Sequence, residues 1–217
     1  MTFVVHDMPA PVPPALIEDL SDVCVSTLGH LRDHGFATGL TPNRRPARVV
    51  GTAVTVRIPH LDSTAVHLAV DMLRPGDVLV VDQSGDHDRS CFGGLVAFSA
   101  KARGAAGAVI DGSVNDHDET LAYDLTVYSR GYSPLTTRIG GIEGAINVPV
   151  SIGGAVVRPG DLVFADSDGV AFLTLEEAEG LGDLLRAKEA AEVPARERIA
   201  AGGSLAEFSG AVAYSPS

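Results

Sequence analysis

The chain has 217 residues and a formal net charge of −12, from 28 acidic and 16 basic side chains. This excess of negative charge repels nucleic-acid phosphate and argues against a nucleic acid as a partner. No run approaches the roughly 18–20 apolar residues of a membrane span, and the N-terminal residues lack the basic start and apolar core of a signal peptide. We therefore expect a cytoplasmic protein with no membrane partner.

A single domain is expected over residues 1–217. Hydrophobic residues form 45% of the chain and charged residues 20%, a balance typical of a protein with one sizeable core. No charged or Ser/Pro-rich linker divides the sequence. The only cysteines, Cys24 and Cys91, are far apart in sequence, so neither a disulfide framework nor a thiolate metal site is indicated.

The first third of the chain predicts a helix, a strand and a second helix. Apolar residues at helical spacing indicate a helix over about 14–35, and the Val- and Thr-rich run at 48–58 indicates a strand. The next helix begins at residues 62–64, because Asp, Ser and Thr favour helix N-termini, and it ends near Leu73, before a Pro-Gly turn.

Residues 77–111 predict a βαβ unit. Its parts are a strand over 77–82, a polar loop over 83–92, a helix over 93–103 and a strand over 107–111. Such crossovers are right-handed and join parallel strands, so both loops that follow the strands open at the same edge of the sheet. Ligands of open α/β sheets bind at that edge, which places a binding site between loops 83–94 and 112–118.

The second half of the chain predicts more β-structure. In order, the patterns indicate a short helix over 118–124, a strand over 125–129, loops and short β segments over 138–154, a hairpin from 161–164 and 169–173, and a helix over 175–201 interrupted by Pro194. We therefore predict an α/β fold with a partly parallel central sheet and a C-terminal helix.

Two glycines open the helix of the βαβ unit. Gly93 and Gly94 leave backbone N–H groups free at the positive end of the helix dipole, together with those of Leu95 and Val96. These groups suit a small carboxylate, since no Walker lysine or GxGxxG motif supports a nucleotide. The alternative is that the glycines only permit close packing of helix and sheet.

Asp116 lies just past the end of the next strand. A Mg²⁺ ion binds few protein carboxylates and keeps several waters, so one aspartate at this edge is enough to suggest a metal site. Neighbouring acidic residues would add charge around it: Asp86, Asp88, Asp111 and Asp118. The alternative is a solvated acidic turn, with His87 and His117 as polar residues at its rim.

Four segments resemble the RraA-like family, which includes the regulator of ribonuclease E activity A and the 4-hydroxy-4-methyl-2-oxoglutarate aldolases. They are GTAVTVR at 51–57, GGLVAFSAKARGAAGAVIDGSVND at 93–116, YSRGYSP at 128–134 and RPGDLVFADSDGVAFL at 158–173. The resemblance implies a swivelling β/β/α fold, homotrimers or homohexamers, and sites between subunits. In the family's aldolases a divalent metal holds the pyruvyl part of the substrate and stabilises its enolate.

Two positions depart from the pattern of those aldolases. Their Gly-x-x-Arg-Asp signature falls on residues 112–116, where Asp116 is kept and Asn115 replaces the arginine. The aldolases also tend to carry an acidic residue where Gly94 stands. A neutral amide binds a carboxylate or enolate more weakly than a guanidinium, and losing such a contact commonly costs on the order of 10²-fold in rate.

The resemblance and the residues together predict a lyase that depends on Mg²⁺ or Mn²⁺ and acts on a small 2-oxo acid. The reaction is retro-aldol cleavage of a 4-hydroxy-2-oxo acid, or decarboxylation of oxaloacetate through a pyruvate enolate. Asp116 would position the metal, Asn115 would polarise a substrate oxygen, and Arg89 would replace the missing cation. The substrate carboxylate would bind the N–H groups at residues 93–96.

Two other functions stay open at this point. The loss of the arginine at position 115 is also typical of a family member with a different substrate or reaction. A non-catalytic regulator that binds a protein partner is the alternative from another class.

Overall fold

A mixed sheet of eleven strands and a separate two-stranded hairpin form the frame of the part that the computed structural model describes, residues 2–214. The strands are β1 (Thr2–Val5), β2 (Phe36–Ala37), β3 (Thr41–Pro42), β4 (Arg48–Arg57), β5 (Asp77–Asp82), β6 (Ser90–Phe92), β7 (Gly107–Val114), β8 (Val127–Tyr132), β9 (Glu143–Ile146), β10 (Val150–Ile152), β11 (Ala155–Val157), β12 (Leu162–Asp166) and β13 (Val170–Leu173). The hairpin consists of β10 and β11.

The helices that pack on the sheet lie on one of its faces, and the β10–β11 hairpin packs on the other. The helices are α1 (Pro14–Asp19), α2 (Val25–Leu28), α3 (Thr64–Met72), α4 (Gly94–Ala102), α5 (His117–Ala122), α6 (Leu175–Ala178), α7 (Leu181–Ala191), α8 (Val193–Ala200) and α9 (Leu205–Ser209), followed by a 3₁₀-helix over Ala211–Tyr214. None of the helices in the described ranges is long and apolar enough to cross a membrane.

The centre of the sheet is parallel and its flanks are antiparallel. Strands β4, β5, β7 and β8 pair in parallel, whereas β12, β13 and β2 continue the sheet antiparallel on one side and β3 does so on the other. The predicted βαβ unit is β5–α4–β7. The α/β class, the partly parallel sheet and the helical C-terminus are therefore confirmed.

The central strands are buried on both faces, which explains their nearly continuous apolar sequence. In β5 the side chains of Leu79 and Val81 pack beneath α3 and α4, and those of Val78 and Val80 pack toward the β10–β11 hairpin. Burying one such side chain stabilises the fold by roughly 1.5–3 kcal/mol. The paired strands β5 and β7 therefore hold the loops at their carboxyl ends rigidly.

The single helix expected over residues 14–35 is wrong. Helix α1 ends at Asp19 and α2 is a separate turn. Distant carboxylates bind the backbone between them: the Cys24 N–H donates to Glu189 Oε1 at 2.8 Å and the Val25 N–H donates to Asp166 Oδ2 at 2.9 Å. Tertiary hydrogen bonds thus override the local helical spacing.

The polar loop expected over residues 83–92 is wrong at its end. Ser90, Cys91 and Phe92 are buried and form β6, which pairs in parallel with an extension of β7 to Val114. A loop segment supports β6 on its other side, since the Ser90 N–H donates to Leu135 O at 2.8 Å. The break predicted at Pro194 is confirmed: α7 ends before it, and the proline lies in the first turn of α8.

Candidate active site

An open crevice of about 180 Å³ lies where α3, α4 and the β7–α5 connection meet. It contains both predicted segments, with residues 93–96 at the start of α4 and residues 115–116 after β7. Segment 136–137 closes a further side. The carboxyl ends of the parallel strands thus bring the two loops together, as the βαβ unit requires.

Asp116 has a backbone conformation that is rare for a residue other than glycine. Its φ is 53° and its ψ is 46°, in the left-handed region, at a cost of order 1–2 kcal/mol. Its carbonyl oxygen accepts the Thr120 N–H and hydroxyl, both at 3.0 Å, which fixes the start of α5. The side chain turns toward α4, where Oδ2 accepts the Gly94 N–H at 2.8 Å.

Gly93 and Gly94 are required because the β7–α5 connection closely approaches the start of α4. A Cβ on Gly93 would lie 2.6 Å from Asn115 Oδ1 and 2.8 Å from Asp116 Oδ2, and a Cβ on Gly94 would collide with Glu119 Oε2. The glycines therefore make room for polar side chains at the helix N-terminus. Close helix–sheet packing does not account for them.

Part of the predicted carboxylate site is occupied by the protein itself. The Gly94 N–H, expected to bind substrate, donates to Asp116 instead. The first bond within α4 runs from the Ala97 N–H to Gly93 O at 2.8 Å, so the N–H groups of Leu95 and Val96 have no acceptor inside the helix. These two groups remain suited to an anion.

The amide of Asn115 is held in one orientation. Its Oδ1 accepts a short hydrogen bond from the hydroxyl of Ser90, which is buried in β6, and its backbone N–H donates to Phe92 O at 3.1 Å. Nδ2 makes no hydrogen bond to any residue within 2–214 and lies beside Gly93. Asn115 therefore presents a neutral donor to the crevice.

Glu119 is a site residue that the sequence did not suggest. It lies three residues after Asp116, and this spacing brings its side chain to the same face of α5. Glu119 Oε2 fills the space beside Gly94 and accepts the Tyr123 hydroxyl at 3.3 Å. Burial, followed by the negative charges of Glu119 and Asp116, raises the pKa of Tyr123 above its ordinary value.

Comparison with known proteins identifies the family of the chain. Residues 17–172 match the RraA-like family, described as Aldolase/RraA. The chain belongs to this family. A relative from Halalkalibacterium halodurans, named "Putative 4-hydroxy-4-methyl-2-oxoglutarate aldolase", is 38% identical over 165 residues, which cover 74% of this chain and 78% of the relative. That name supports an RraA-family lyase.

Solved structures, including one of an RraA-family protein, share the fold. Streptomyces coelicolor RraAS2, described as an unusual member of the RNase ES inhibitor RraA protein family, matches 88% of this chain and 98% of its own, with a TM-score of 0.76 and 28% identity. An uncharacterized protein from Pseudomonas syringae pv. tomato matches 92% and 98%, with a TM-score of 0.77 and 26% identity. The RraA-like fold therefore supports proteins with aldolase names and proteins named as inhibitors.

The carboxylates of this RraA-like chain fit a divalent cation that keeps most of its waters. Asp116 and Glu119 lie beside the same glycine, and Gly94 leaves room for the Glu119 carboxylate. Among residues 2–214 no group of three or more His, Cys, Asp or Glu side chains is arranged to hold a metal. One or two carboxylates together with several waters would suit Mg²⁺ or Mn²⁺ better than a fully protein-bound ion.

Arg89 is not brought to the crevice. Its guanidinium lies 3.1 Å from Asp86 Oδ2, and Asp86 Oδ1 also accepts the N–H groups of Asp88 and Arg89. Burial alone would raise the pKa of Asp86, but these hydrogen bonds and the guanidinium lower it below its ordinary value. Arg89 and Asp86 thus form a contact that holds their own loop together.

The remaining predicted residues lie outside the crevice. Asp111 pairs with Arg130 and accepts the Gly153 N–H at 2.7 Å, with His87 4.0 Å away. The ring of His117 packs edge-on against Tyr132, with centroids 4.8 Å apart, and its buried Nδ1 has no hydrogen-bond partner among residues 2–214. His117 is therefore a packing residue, and the expectation that it lies at a polar rim is wrong.

Proposed function

We propose that this RraA-like chain is a divalent-metal-dependent lyase that acts on a small 2-oxo acid in the crevice. The supporting observation is the pair of carboxylates, Asp116 and Glu119, near the N–H groups of Leu95 and Val96, which have no acceptor within α4. The reaction is retro-aldol cleavage of a 4-hydroxy-2-oxo acid or decarboxylation of oxaloacetate. Both reactions leave the enolate of pyruvate, so one site serves either.

Residues in and beside the crevice would each bind a different part of the metal–substrate complex. Asp116 and Glu119 would hold Mg²⁺ or Mn²⁺, which supplies positive charge next to the 2-oxo group and the developing enolate. The N–H groups of Leu95 and Val96 would bind the substrate carboxylate at the positive end of the α4 dipole. Nδ2 of Asn115 would donate to a substrate oxygen.

The replacement of the family's arginine by Asn115 determines the turnover rate that we expect. Asn115 donates neutral hydrogen bonds, which are roughly half as strong as charge-assisted ones. Its amide cannot turn freely, since Ser90 binds Oδ1. We therefore expect slower turnover of substrates with a second carboxylate than in relatives that keep the arginine, and a relative preference for substrates with less negative charge.

A homo-oligomer, trimer or hexamer, forms part of the proposal. Large apolar side chains are open to solvent in the single chain: Leu95, which lines the crevice, is 78% exposed, Phe98 of the same helix 52%, and Ile139, shortly after segment 136–137, 61%. Exposed apolar residues of this size support a surface that another subunit covers. Light scattering coupled to gel filtration should give three or six times the chain mass, and a monomer would contradict this part.

The test is pyruvate release from a panel of 4-hydroxy-2-oxo acids and oxaloacetate. Activity should require Mg²⁺ or Mn²⁺, stop on adding chelator, and return when metal is added in excess. Activity that persists in chelator, or in Asp116→Ala, would contradict the metal mechanism. Asp118→Ala, which changes an exposed acidic residue of the same helix, is the matched control and should keep full activity.

Two alternatives predict different results in the same assay. A non-catalytic regulator, as the name of the RNase ES inhibitor RraA family suggests for RraAS2, would release no pyruvate from any member of the panel and would bind a protein partner. An enzyme with a different reaction would be inactive on the panel and yet bind pyruvate in a metal-dependent way.

A further inference from the structure

A histidine of α3 faces the crevice, although its chain segment carries none of the predicted site residues. His67 lies one helical turn after Ser63, and both line the crevice with Asp116. The opposite side of α3 is buried against the sheet through Ala65, Val66, Ala69 and Val70. His67 is therefore on the outward face of a helix whose other face is fixed.

The start of α3 is anchored firmly, which fixes the position of His67. The buried carboxylate of Asp62 accepts the Thr64 N–H at 2.9 Å and the Gly140 N–H at 3.1 Å. The Ser63 N–H donates to Arg138 O at 2.9 Å, and the His67 N–H donates to Ser63 O at 3.2 Å. These bonds tie α3 to the segment that also supports β6.

The proposed reaction needs a group that carries a proton, and the crevice offers few. Of its described lining residues, His67, Cys91 and Asp116 have ionisable side chains, and Glu119 lies next to Gly94 at its edge. Asp116 and Glu119 are assigned to the metal. Burial raises the pKa of Cys91 to about 12, so its thiol holds its proton. Imidazole is the side chain that most readily exchanges protons at neutral pH.

We propose that His67 carries the proton in this reaction, an inference that rests on the proposed lyase function. In the retro-aldol direction the imidazole takes the proton of the C4 hydroxyl as the C3–C4 bond breaks. The electron pair of that bond remains as the enolate, and the imidazolium returns the proton to C3, which gives pyruvate. In decarboxylation CO₂ leaves, and the proton on C3 comes from the imidazolium, which solvent recharges because His67 is exposed.

The test measures two reactions of the full-length protein with Mg²⁺: pyruvate release, and exchange of the pyruvate methyl protons in D₂O followed by NMR. His67→Gln should slow both by about 10²-fold or more, which is typical of losing a general acid–base. Added imidazole should restore part of the activity of His67→Ala. His87→Gln, at the same sheet edge but outside the crevice and 4.0 Å from Asp111, is the matched control and should behave like wild type.

The outcomes separate this inference from the function on which it rests. A wild-type protein that neither releases pyruvate nor exchanges its methyl protons overturns both. If wild type is active and His67→Gln stays within about threefold of it, with no imidazole effect on His67→Ala, only the role of His67 is overturned. Mn²⁺ binding measured on the same variants should be unchanged, which distinguishes proton transfer from loss of metal.

Discussion

The tripeptide Asp-His-Asp occurs at residues 86–88 and again at 116–118, at neighbouring strand ends. In the first copy Asp86 is 7% exposed and binds the N–H groups and guanidinium of its own loop. In the second copy Asp116 is exposed, has a left-handed backbone and turns to another helix. The same side chains thus stabilise a loop in one place and form a candidate site in the other, because backbone and neighbours differ.

The largest expected effect comes from removing the charge of the second copy. Asp116→Asn should lower kcat/KM for pyruvate release by about 10²–10³-fold, because the proposed metal would lose a charged ligand where charge develops. Its free energy of unfolding should change by less than about 1 kcal/mol, since asparagine tolerates the left-handed backbone. Kinetics and urea unfolding check the two statements, and a large loss of stability with normal activity would reverse the assignment.

The second prediction concerns variants that transfer the carboxylate from Glu119 to residue 94. Glu119→Ala should reduce activity by about 10²-fold, and Gly94→Asp alone should reduce it as well, because the new side chain collides with Glu119. The double variant should recover most of the loss, since the carboxylate then approaches the same position from α4. A double-mutant cycle on kcat/KM measures the coupling, and additive losses would show that Glu119 does not act at that position.

The matched change in the first copy should affect stability and spare activity. Asp86→Asn should lower the free energy of unfolding by about 1.5–3 kcal/mol, because charged hydrogen bonds to its loop are lost. The folded-state pKa of Asp86 is lowered, so its contribution is present above the ordinary aspartate pKa and is lost as the pH falls through the lowered value. Acid unfolding should therefore be shallower in the variant, and identical pH profiles would contradict this.

Smaller changes in turnover are expected from variants of Asn115, which replaces the arginine, and of Ser90, which orients it. Ser90→Ala frees the Asn115 amide and should lower kcat by about tenfold or less, because the donor loses its fixed orientation. Asn115→Arg should raise turnover of 4-hydroxy-2-oxo acids with a second carboxylate, since it restores a charged donor. Steady-state kinetics on both variants tests this, and a slower Asn115→Arg enzyme would show that the crevice is built for a different substrate.

The smallest effect is predicted for Arg89. Its guanidinium binds Asp86 and does not line the crevice, so Arg89→Ala should leave pyruvate release unchanged. The free energy of unfolding should fall by no more than about 1 kcal/mol, because the pair is partly exposed. A clear loss of activity at constant stability would restore Arg89 as the substitute cation.

Sequence patterns predicted the parts of the fold that depend on local signals. Strand β5 was predicted with its exact ends because an apolar run lies between a Pro-Gly turn and polar residues, and α4 because glycines bound its helical pattern. The break between α1 and α2 was missed. It depends on Glu189 and Asp166, more than 140 residues away, and no local pattern contains that information.

The candidate site was predictable to the same degree. The meeting of residues 93–96 with Asp116 followed from parallel strand pairing. The position of Glu119 beside Gly94 was missed because a glycine in the sequence does not show which side chain fills the space next to it. The three-residue spacing from Asp116 did indicate that both side chains lie on one face of α5. His67 was missed because the position of α3 beside the crevice depends on a distant contact. The carboxylate of Asp62, just before α3, accepts the N–H groups of Gly140 and Ile142, and no local pattern shows this.

Metal binding tests the difference between the two Asp-His-Asp copies most directly. Titration of the purified protein with Mn²⁺, followed by electron paramagnetic resonance, should show one site per chain in wild type and in Asp86→Asn. The site should be lost or weakened at least tenfold in Asp116→Asn. Unchanged Mn²⁺ binding in Asp116→Asn, or its loss in a folded Asp86→Asn protein, would contradict the assignment of the second copy as the metal-binding site.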